Sequence, residues 1–431
     1  MTSPGTTAAA PATGYGPIDR CQISGSTDLR PVVFLGYLPP VTTMRHVGAR
    51  PDAEERFPAE VFYCPESHLV QLGLIVDPKI LFHPDYPYTS GSTRILRENF
   101  ARLHTEVEQL VGLEPKDLVV DIGSNDGTLL GNFLAHGHRV LGIEPTQNGQ
   151  TARERGVHTI TAFFNRDSAA RAKAEQGAPK VITATNVFAH MNQIHDVADA
   201  IEDLLGDGDG VFVSESHYLG GLIETLQYDT IYHEHLRYYS VHSIKYLLEA
   251  HGLRVFHVTK IPTHGGSIRV YATKSRRWAT DDTVAAILEE EVQAGLTSDR
   301  WIAPFRQRVI DSKLALHALL APIKRAGQSV VGIGAPARST TLISYTGLDD
   351  GILDCVLEVQ GSRKIGRYVP GTNIPVLEEA KLFADQPAYA LLLSWHIAGE
   401  LCAALKRHGY RGDFIIPLPT PAIIRNADVR T

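Results

Sequence analysis

The chain has 431 residues, which at about 150 residues per domain predicts two or three domains. Lys and Arg number 41 against 48 Asp and Glu, so the formal net charge is −7, and the basic residues form no block. This balance argues against a general binder of nucleic acid or of anionic membranes. Four cysteines are too few for a disulfide framework, so we expect a reducing, cytoplasmic compartment. The longest apolar runs are far shorter than the roughly 20 residues that span a bilayer.

The first residues of the chain show no sign of a secretory signal. Residues 1–16 are rich in Ala, Thr, Pro and Gly, and no apolar run precedes the first basic residue, Arg20. We therefore expect a disordered lead-in over residues 1–16.

The N-terminal part, which is poor in helix signals, contains a degenerate version of a zinc-binding pattern. Cys21-x-x-Ser24 and Cys64-x-x-Ser67 have the spacing of two zinc knuckles in which half of the thiolates are replaced. Two cysteines and His68 fall short of the four ligands that close a structural zinc site. Zinc is therefore not expected here, and the module is predicted to fold by packing.

The central part alternates predicted strands and helices. A turn-rich tract at residues 83–91 leads into a helix whose apolar residues have helical spacing from Ile95 to Val111. Short apolar strands separated by helices predict a parallel sheet with helices on both faces. The strands are predicted at 118–122, 140–144, 181–185 and 210–214, with an antiparallel edge strand at 267–271.

The C-terminal part repeats this pattern on a smaller scale. A charged helix at 281–294 precedes a strand, glycine turn and helix start at 329–338. Further strands at 353–357 and 389–394 predict a second α/β unit. The predicted fold class is α/β. The domains are a small N-terminal module (17–82), a Rossmann-like methyltransferase domain (83–277) and a C-terminal α/β nucleotide-binding-like domain (278–431).

The sharpest motif, at residues 120–128, reads Val-Asp-Ile-Gly-Ser-Asn-Asp-Gly-Thr, a strand end, a tight turn and a helix start. A dinucleotide-binding turn has glycine in the middle, whereas here Asn125 takes that position and the carboxylate Asp126 follows. A carboxylate would repel a pyrophosphate but attract a sulfonium and an ammonium group. Glu144, at the end of the next strand, can bind both ribose hydroxyls. The pair favours S-adenosylmethionine over NAD, the alternative being an ordinary α/β turn.

A dense polar row, Asp-Thr-Ile-Tyr-His-Glu-His-Leu, follows the fourth predicted strand at residues 229–236. This is the edge of the sheet where parallel α/β folds place their sites. The His-x-His pair could bind a metal, but no convincing third ligand lies nearby in the sequence. A general-base site is favoured, with a histidine removing a proton and Glu or Tyr orienting it or stabilising an enolate. A solvated charged loop is the alternative.

The third motif is the glycine turn at residues 332–341. Its glycines, Pro336 near the helix start, and the following Arg338, Ser339 and Thr340 predict an anion cradle suited to a diphosphate. The same turn could hold NADPH, and it could be only a turn.

Together these motifs make the chain resemble the S-adenosylmethionine-dependent C-methyltransferases of deoxysugar biosynthesis, which act on nucleotide-linked 4-keto-deoxyhexoses, typically at C3. The resemblance extends over nearly the whole chain and includes six tracts: 120–128, 186–190, 232–236, 264–269, 334–337 and 366–371. It implies an N-terminal zinc module, of whose four cysteines only Cys21 and Cys64 are present. It also implies a central methyltransferase domain and a C-terminal domain that grips the nucleotide.

The resemblance also implies the site residues. The active-site residues are expected at His235 as the base, with Tyr232, Glu234, His190 and Tyr86, and Tyr88 is a rival to Tyr86. The residues expected at S-adenosylmethionine are Asp121, Gly123, Asn125, Asp126, Gly127, Glu144, Phe164 and Asn186. Arg338, Ser339 and Thr340 are expected at the diphosphate.

The predicted reaction follows from the acidity of a C3 proton next to a C4 ketone. Its removal gives an enolate whose carbon attacks the sulfonium methyl in line, so the protein must supply a base, an oxyanion partner and alignment. The predicted substrate is a dTDP-4-keto-2,6-dideoxyhexose. One alternative is a bifunctional enzyme that also reduces the 4-ketone with NADPH. The other is a non-catalytic nucleotide-sugar binder.

Overall fold

The computed structural model describes residues 15–51, 53–82, 91 and 93–430, and all features given below lie within these ranges. Most of the expected lead-in, residues 1–14, lies outside them. Gly16 does not belong to a disordered lead-in, because it pairs with Ile75 in a short antiparallel ladder.

The N-terminal part is mainly β-structure. Its elements are β1 (Gly16–Pro17), β2 (Arg30–Leu38), β3 (Phe57–Tyr63), β4 (Val70–Leu72), β5 (Leu74–Ile75) and α1 (Pro78–Leu81).

The central part alternates helices and strands as predicted. Its elements are α2 (Arg94–Val111), β6 (Leu118–Ile122), α3 (Thr128–Ala135), β7 (Arg139–Ile143), α4 (Asn148–Glu154), β8 (Thr159–Ile160), α5 (Arg166–Gln176), β9 (Val181–Thr185), α6 (Ile194–Leu205), β10 (Val211–His217), α7 (Leu219–Glu224), β11 (Arg237–Tyr238), α8 (Val241–Ala250), β12 (Arg254–Ile261) and β13 (Ser267–Thr273).

The C-terminal part forms the second α/β unit. Its elements are α9 (Asp282–Gln293), α10 (Ile302–Arg325), β14 (Val330–Ile333), α11 (Ala337–Thr346), β15 (Val356–Glu358), β16 (Val376–Glu378), α12 (Ala380–Asp385), β17 (Tyr389–Leu392), α13 (Ala398–Arg407), β18 (Asp413–Ile416) and β19 (Ala422–Ile424).

The central sheet has the strand order β12-β13-β10-β9-β6-β7-β8 and is parallel from β10 to β8. All five residues of β6 are buried, which explains why four of them are apolar without an alternation, Asp121 being the exception. The predicted strand at 267–271 is antiparallel to β10, but it is not the edge, since β12 lies outside it. The α/β fold class is confirmed.

The N-terminal sheet includes one strand, β11, from the central part of the chain. Its order is β11-β4-β3-β2, and β11 pairs with β4 through Arg237 opposite Gln71 and Tyr238 opposite Val70. Because β11 directly follows the polar row at 229–236, the N-terminal sheet fixes one end of that row.

The C-terminal sheet has the order β16-β15-β14-β17-β18-β19, parallel except for β19. The apolar core that buries this sheet also contains Val32 and Leu35 from β2 and Phe305 and Val309 from α10. The N-terminal strands therefore pack on the C-terminal part. Across the described ranges, no helix is long and apolar enough to cross a membrane.

Candidate active site

The glycine turn after β6 has the backbone shape that its sequence predicts. Gly123, Asn125 and Gly127 all have positive φ values, of 69°, 50° and 75°. The Gly123 N–H donates to the Ile143 carbonyl (2.8 Å), and the Asn125 N–H donates to the Glu144 carboxylate (2.9 Å). These bonds hold the turn against the end of β7, so that Glu144 lies beside it as expected.

Two acidic residues of this motif are buried and already hydrogen-bonded. Asp121 accepts from the Thr183 hydroxyl (2.6 Å), and its burial raises its pKa to about 7. Asp126 accepts from the Thr128 hydroxyl (2.7 Å) and the Gly91 N–H (3.1 Å), and it pairs with Arg155 (3.1 Å). Asp126 therefore accepts from the first residue of α3 and compensates Arg155, which makes its role more structural than the sequence suggested.

Asn186 offers an unused acceptor at the same edge. Its Oδ1 atom is buried and has no hydrogen-bond partner among the described residues, and its backbone has a φ of 54°. Phe164, also expected at the cofactor, is buried in the apolar core of the central part, while its neighbour Phe163 is half exposed.

The polar row at 229–236 is held by all three parts of the chain. The Thr341 hydroxyl of α11 donates to the Ile231 carbonyl (2.9 Å), and His233 Nε2 contacts the Pro58 carbonyl (3.2 Å) in the N-terminal sheet. The Leu236 N–H donates to the Ala189 carbonyl (3.1 Å) in the central part. The row is thus a buried junction, and the solvated-loop alternative is wrong.

A cluster of histidine rings surrounds His235. Its ring centroid lies 4.8 Å from His190, 5.1 Å from His217 and 4.1 Å from the ring of Tyr232. His217 in turn stacks on His264 at 5.2 Å. The sequence analysis singled out His235, His190 and Tyr232, and the fold brings these three together.

The hydrogen bonding of His235 fixes its tautomer. Nδ1 lies 2.6 Å from the Thr230 carbonyl oxygen, which can only accept, so Nδ1 carries the proton and Nε2 of the neutral ring has a free lone pair. Burial lowers the pKa of His235 well below its usual range, and the neighbouring His190 adds to this shift. Burial also lowers the pKa of His190 to about 4. Both rings are neutral at pH 7.

The other expected residues around this cluster fall into two groups. Tyr232 and Glu234 are buried within the row. Tyr86 and Tyr88 lie outside the described residues, but both sides of their segment are anchored at the site. The Phe82 ring stacks on His190 at 6.2 Å, and Gly91 donates to Asp126 as given above.

Arg338 has different contacts from those expected. Its guanidinium makes two hydrogen bonds to the carboxylate of Asp229, at 2.7 and 2.8 Å, in a fully buried ion pair. It also lies 4.9 Å from the ring centroid of Trp395, whose indole N–H donates to the same carboxylate (2.7 Å). The charge of Arg338 is therefore compensated inside the protein, and its role as a free diphosphate ligand is not supported by these contacts.

The rest of the second glycine turn is built like the first. The Gly334 N–H donates to the Leu357 carbonyl (2.8 Å), and the Ala335 N–H donates to the Glu358 carboxylate (2.7 Å). Ser339 and Thr340 begin the adjoining helix and are buried. Lys364 donates to the Ala335 carbonyl, so it places a cation beside this turn.

Comparisons with known proteins agree with this geometry. Models of a methyltransferase domain and of a C-methyltransferase C-terminal domain match residues 95–258 and 262–419, and a model of a zinc binding domain matches residues 21–82. The C-methyltransferase NovU of Streptomyces niveus is 32% identical over 416 residues, which cover 95% of this chain and 97% of that protein. This chain belongs to the C-methyltransferase family.

Two solved methyltransferase structures each align with less than half of this chain. The magnesium protoporphyrin IX methyltransferase of Synechocystis, solved with bound S-adenosylmethionine, is 15% identical, with a TM-score of 0.33 over 44% of this chain and 88% of that one. The 1,6-didemethyltoxoflavin-N1-methyltransferase of Burkholderia thailandensis is also 15% identical, with a TM-score of 0.31 over 42% of this chain and 78% of that one.

As a C-methyltransferase, the enzyme uses S-adenosylmethionine, and the first glycine turn fits it. The unpaired Oδ1 of Asn186 suits an ammonium donor. Each oxygen of the Glu144 carboxylate accepts one backbone N–H, from Asn125 or Thr146, which leaves a lone pair on each for a ribose hydroxyl.

The N-terminal module does not fit a closed zinc site. The Cys21 thiol and the Ser67 hydroxyl are hydrogen-bonded at 3.1 Å, and Ser24 and Cys64 are hydrogen-bonded at 3.5 Å. The four side chains thus lie next to one another, with each cysteine beside a serine of the other knuckle. Since two of the four are hydroxyls, which are poor zinc ligands, the set does not supply the four ligands of a closed site.

Three histidines at the site carried no sequence signal strong enough to assign them. His217 ends β10, His264 has a φ of 56° in the turn before β13, and His396 contacts the Arg338 guanidinium (3.3 Å). The tract at 264–269 contributed to the family resemblance without a role for His264. His217 and His396 have no local motif, so only the fold shows that they converge.

Proposed function

We propose that this C-methyltransferase methylates C3 of a dTDP-4-keto-2,6-dideoxyhexose through an enolate, as in mycarose-type branched deoxysugar biosynthesis. The observation that carries the proposal is the unprotonated Nε2 of His235, buried among aromatic and histidine rings next to the cofactor edge. Methylation at carbon needs a base that first removes a proton, and this cluster provides one.

In the proposed reaction His235 Nε2 takes the C3 proton, and the electrons of the C–H bond move into the enolate of the C4 ketone. S-adenosylmethionine supplies an electrophilic methyl group on a sulfonium centre. The Tyr232 hydroxyl is the proposed donor to the ketone oxygen, where the negative charge develops, and Glu234 is the proposed contact to the rest of the sugar. His190, whose ring lies 4.8 Å from that of His235, is the neighbouring proposed contact. Tyr86, also expected at the active site, lies outside the described residues. The short helix Phe188–His190 begins two residues after Asn186, which supports a methyl acceptor bound beside the cofactor edge.

The contacts of Arg338 change which residues we propose to bind the diphosphate. We assign Arg338 to positioning, since its pair with Asp229 holds the start of the polar row against α11. Lys364 is the proposed cation for the diphosphate, because it lies beside the second turn and within electrostatic reach of Glu234. Ser339 and Thr340 remain proposed contacts at the start of α11.

The bifunctional alternative receives no support from the second turn. A 2′-phosphate of NADPH would lie near the acid at the end of the second strand of such a unit. Here that acid is Glu358, whose carboxylate accepts the Ala335 N–H at 2.7 Å. A 2′-phosphate bound beside this carboxylate would be repelled by it, so the turn disfavours NADPH.

The direct test is to incubate the enzyme with S-adenosylmethionine and candidate dTDP-4-keto-2,6-dideoxyhexoses. We expect the sugar to gain one methyl group by mass with the 4-ketone retained. A reduced product that depends on NADPH would favour the bifunctional alternative. Absence of methylation with every nucleotide-linked 4-keto sugar would contradict the proposal.

The role of His235 is tested by exchange of the C3 proton with deuterated solvent in the absence of methyl transfer. We expect His235→Ala to lose both exchange and methylation by about 10²–10⁴-fold, with S-adenosylmethionine binding retained. His195→Ala is the control, since His195 is an exposed histidine on α6 whose Nδ1 contacts His251. Exchange at the wild-type rate in His235→Ala would move the base to His190 or to a tyrosine.

A further inference from the structure

Three ligand-type side chains converge at the opposite edge of the central sheet, away from the active site. His104 and Glu108 lie one turn apart on α2, and His138 directly precedes β7. The Nε2 atoms of His104 and His138 lie 3.3 and 3.2 Å from Oε1 of Glu108, and all three ligand atoms fall within 4.8 Å of one another.

These separations match a tetrahedral metal site. Zinc bonds of about 2.0–2.1 Å to nitrogen and oxygen place neighbouring ligand atoms roughly 3.3 Å apart. Two of the three ligand separations have this length. An i,i+4 pair on a helix with a third ligand from another element is a common way to build such a site.

The orientation of the histidine rings suits a cation between the ligands. His138 Nδ1 lies 3.1 Å from the Glu114 carbonyl oxygen, where it can donate, and Nε2 faces the Glu108 carboxylate at 3.2 Å. His104 Nε2 is also buried, and it has no hydrogen-bond partner in the part of the chain that the structure describes. Three acceptors facing one another repel unless a proton or a metal lies between them.

A fourth donor is available next to this group. The ring of His136 lies 4.2 Å from that of His104, and its Nδ1 donates to the Asn132 carbonyl at 2.8 Å, which leaves Nε2 free. His136 is exposed, so either its ring or a water molecule can complete the coordination.

We propose that His104, Glu108 and His138 bind a divalent transition metal, best served by Zn²⁺. The site is separate from the N-terminal module and from the methyl-transfer site. It would join α2 to the loop before β7 and so act as a structural link. From the sequence we predicted no metal site, because His104 and His138 are joined by no recognised spacing.

The test is zinc titration of the full-length enzyme after dialysis against a chelator, with stoichiometry from elemental analysis and affinity from calorimetry. We expect one Zn²⁺ per chain in the wild type. Glu108→Gln and His138→Asn should weaken binding by at least about ten-fold. Glu98→Gln on the same helix and Cys64→Ser in the N-terminal module should bind as the wild type does.

Each variant is first checked for an unchanged circular dichroism spectrum and unchanged S-adenosylmethionine affinity. Glu108 is one-third exposed, so Glu108→Gln tests the site without opening the core. Co²⁺ in place of Zn²⁺ should give a tetrahedral spectrum without a thiolate charge-transfer band. No zinc binding in the wild type would overturn the proposal, as would a thiolate band, or binding lost in Cys64→Ser and kept in Glu108→Gln.

Discussion

The chain builds the strand, glycine turn and helix unit twice, and the two copies match closely at the backbone. In both, a glycine N–H donates at 2.8 Å to a carbonyl at the end of the neighbouring strand, Ile143 in one and Leu357 in the other. In both, the next residue of that strand is a glutamate that accepts a turn N–H, at 2.9 Å for Glu144 and 2.7 Å for Glu358.

The two turns differ in what stands at the start of the following helix. The first has Asp126 just before α3, an anion paired with Arg155 of its own domain. The second has Arg338, a cation paired with Asp229 of the polar row. The charge at the first turn is therefore compensated locally, whereas the second turn uses its cation to dock the polar row. A shared backbone motif thus says little about ligand binding until the charges at the helix start are known.

Breaking the docking pair should have the largest effect. Asp229→Ala leaves the Arg338 guanidinium buried without its partner, and we expect a loss of about 3–5 kcal/mol in the free energy of unfolding. Denaturant unfolding measures it. The double variant Asp229→Leu with Arg338→Met should recover most of this loss, because replacing both partners removes the uncompensated charge. Equal losses in the single and double variants would contradict the docking role.

Glu144 and Glu358 occupy equivalent positions, so substituting each one tests which of the two turns binds the cofactor. Glu144→Gln should weaken S-adenosylmethionine binding by roughly 1–3 kcal/mol, because a charge-assisted hydrogen bond to ribose becomes a neutral one. Glu358→Gln makes the same chemical change in the second turn and should leave this affinity unchanged. Calorimetry on both variants decides the matter, and equal weakening in both would remove the distinction between the turns.

Two buried histidines of the cluster around His235 should also make the free energy of unfolding depend on pH. Burial lowers the pKa of His190 and of His264 to about 4, against about 6.5 in an unfolded chain. Between these values the unfolded state binds more protons, so the free energy of unfolding should fall as pH drops from 6.5 towards 4. Each histidine contributes about 1.4 kcal/mol per pH unit.

His264→Asn separates this effect from the titration of carboxylates. Asparagine tolerates the left-handed backbone at position 264, where φ is 56°. Between pH 6.5 and 4, the free energy of unfolding of the variant should change less steeply with pH, by about 1.4 kcal/mol per pH unit. An unchanged slope in denaturant unfolding across this range would show that His264 is not held neutral by burial.

The parts of the fold that were predicted are those set by local pattern. The turn at 120–128 and helix α2 follow from residue order alone, since Thr93 caps the helix and Gly112 ends it with a φ of 67°. The prediction that β13 forms the edge of the sheet was wrong. The place of a strand within a sheet depends on its partners, and β12, which pairs with β13 on the outside, was not recognised in the sequence.

The candidate site was also predictable only where a local sequence pattern exists. His235 and Glu144 sit in motifs, so their sequence neighbours were informative. The partner of Arg338 lies 109 residues away, and its pairing decides whether the guanidinium is free for a ligand. No local pattern reports such a contact, so the sequence alone could not show that the charge of Arg338 is paired with Asp229, and its role at a diphosphate stays a prediction.

The joining of β11 to the N-terminal sheet has a consequence for the order in which the enzyme matures. Residues 229–238 contact Pro58 at one end of the chain and Trp395 near the other, across separations of 175 and 166 residues. During synthesis the central sheet can form early, but the polar row gains its last anchor only after Trp395 leaves the ribosome. A nascent chain can therefore form its first glycine turn before the polar row gains its last anchor, so under the proposed function the ability to abstract a proton arrives last.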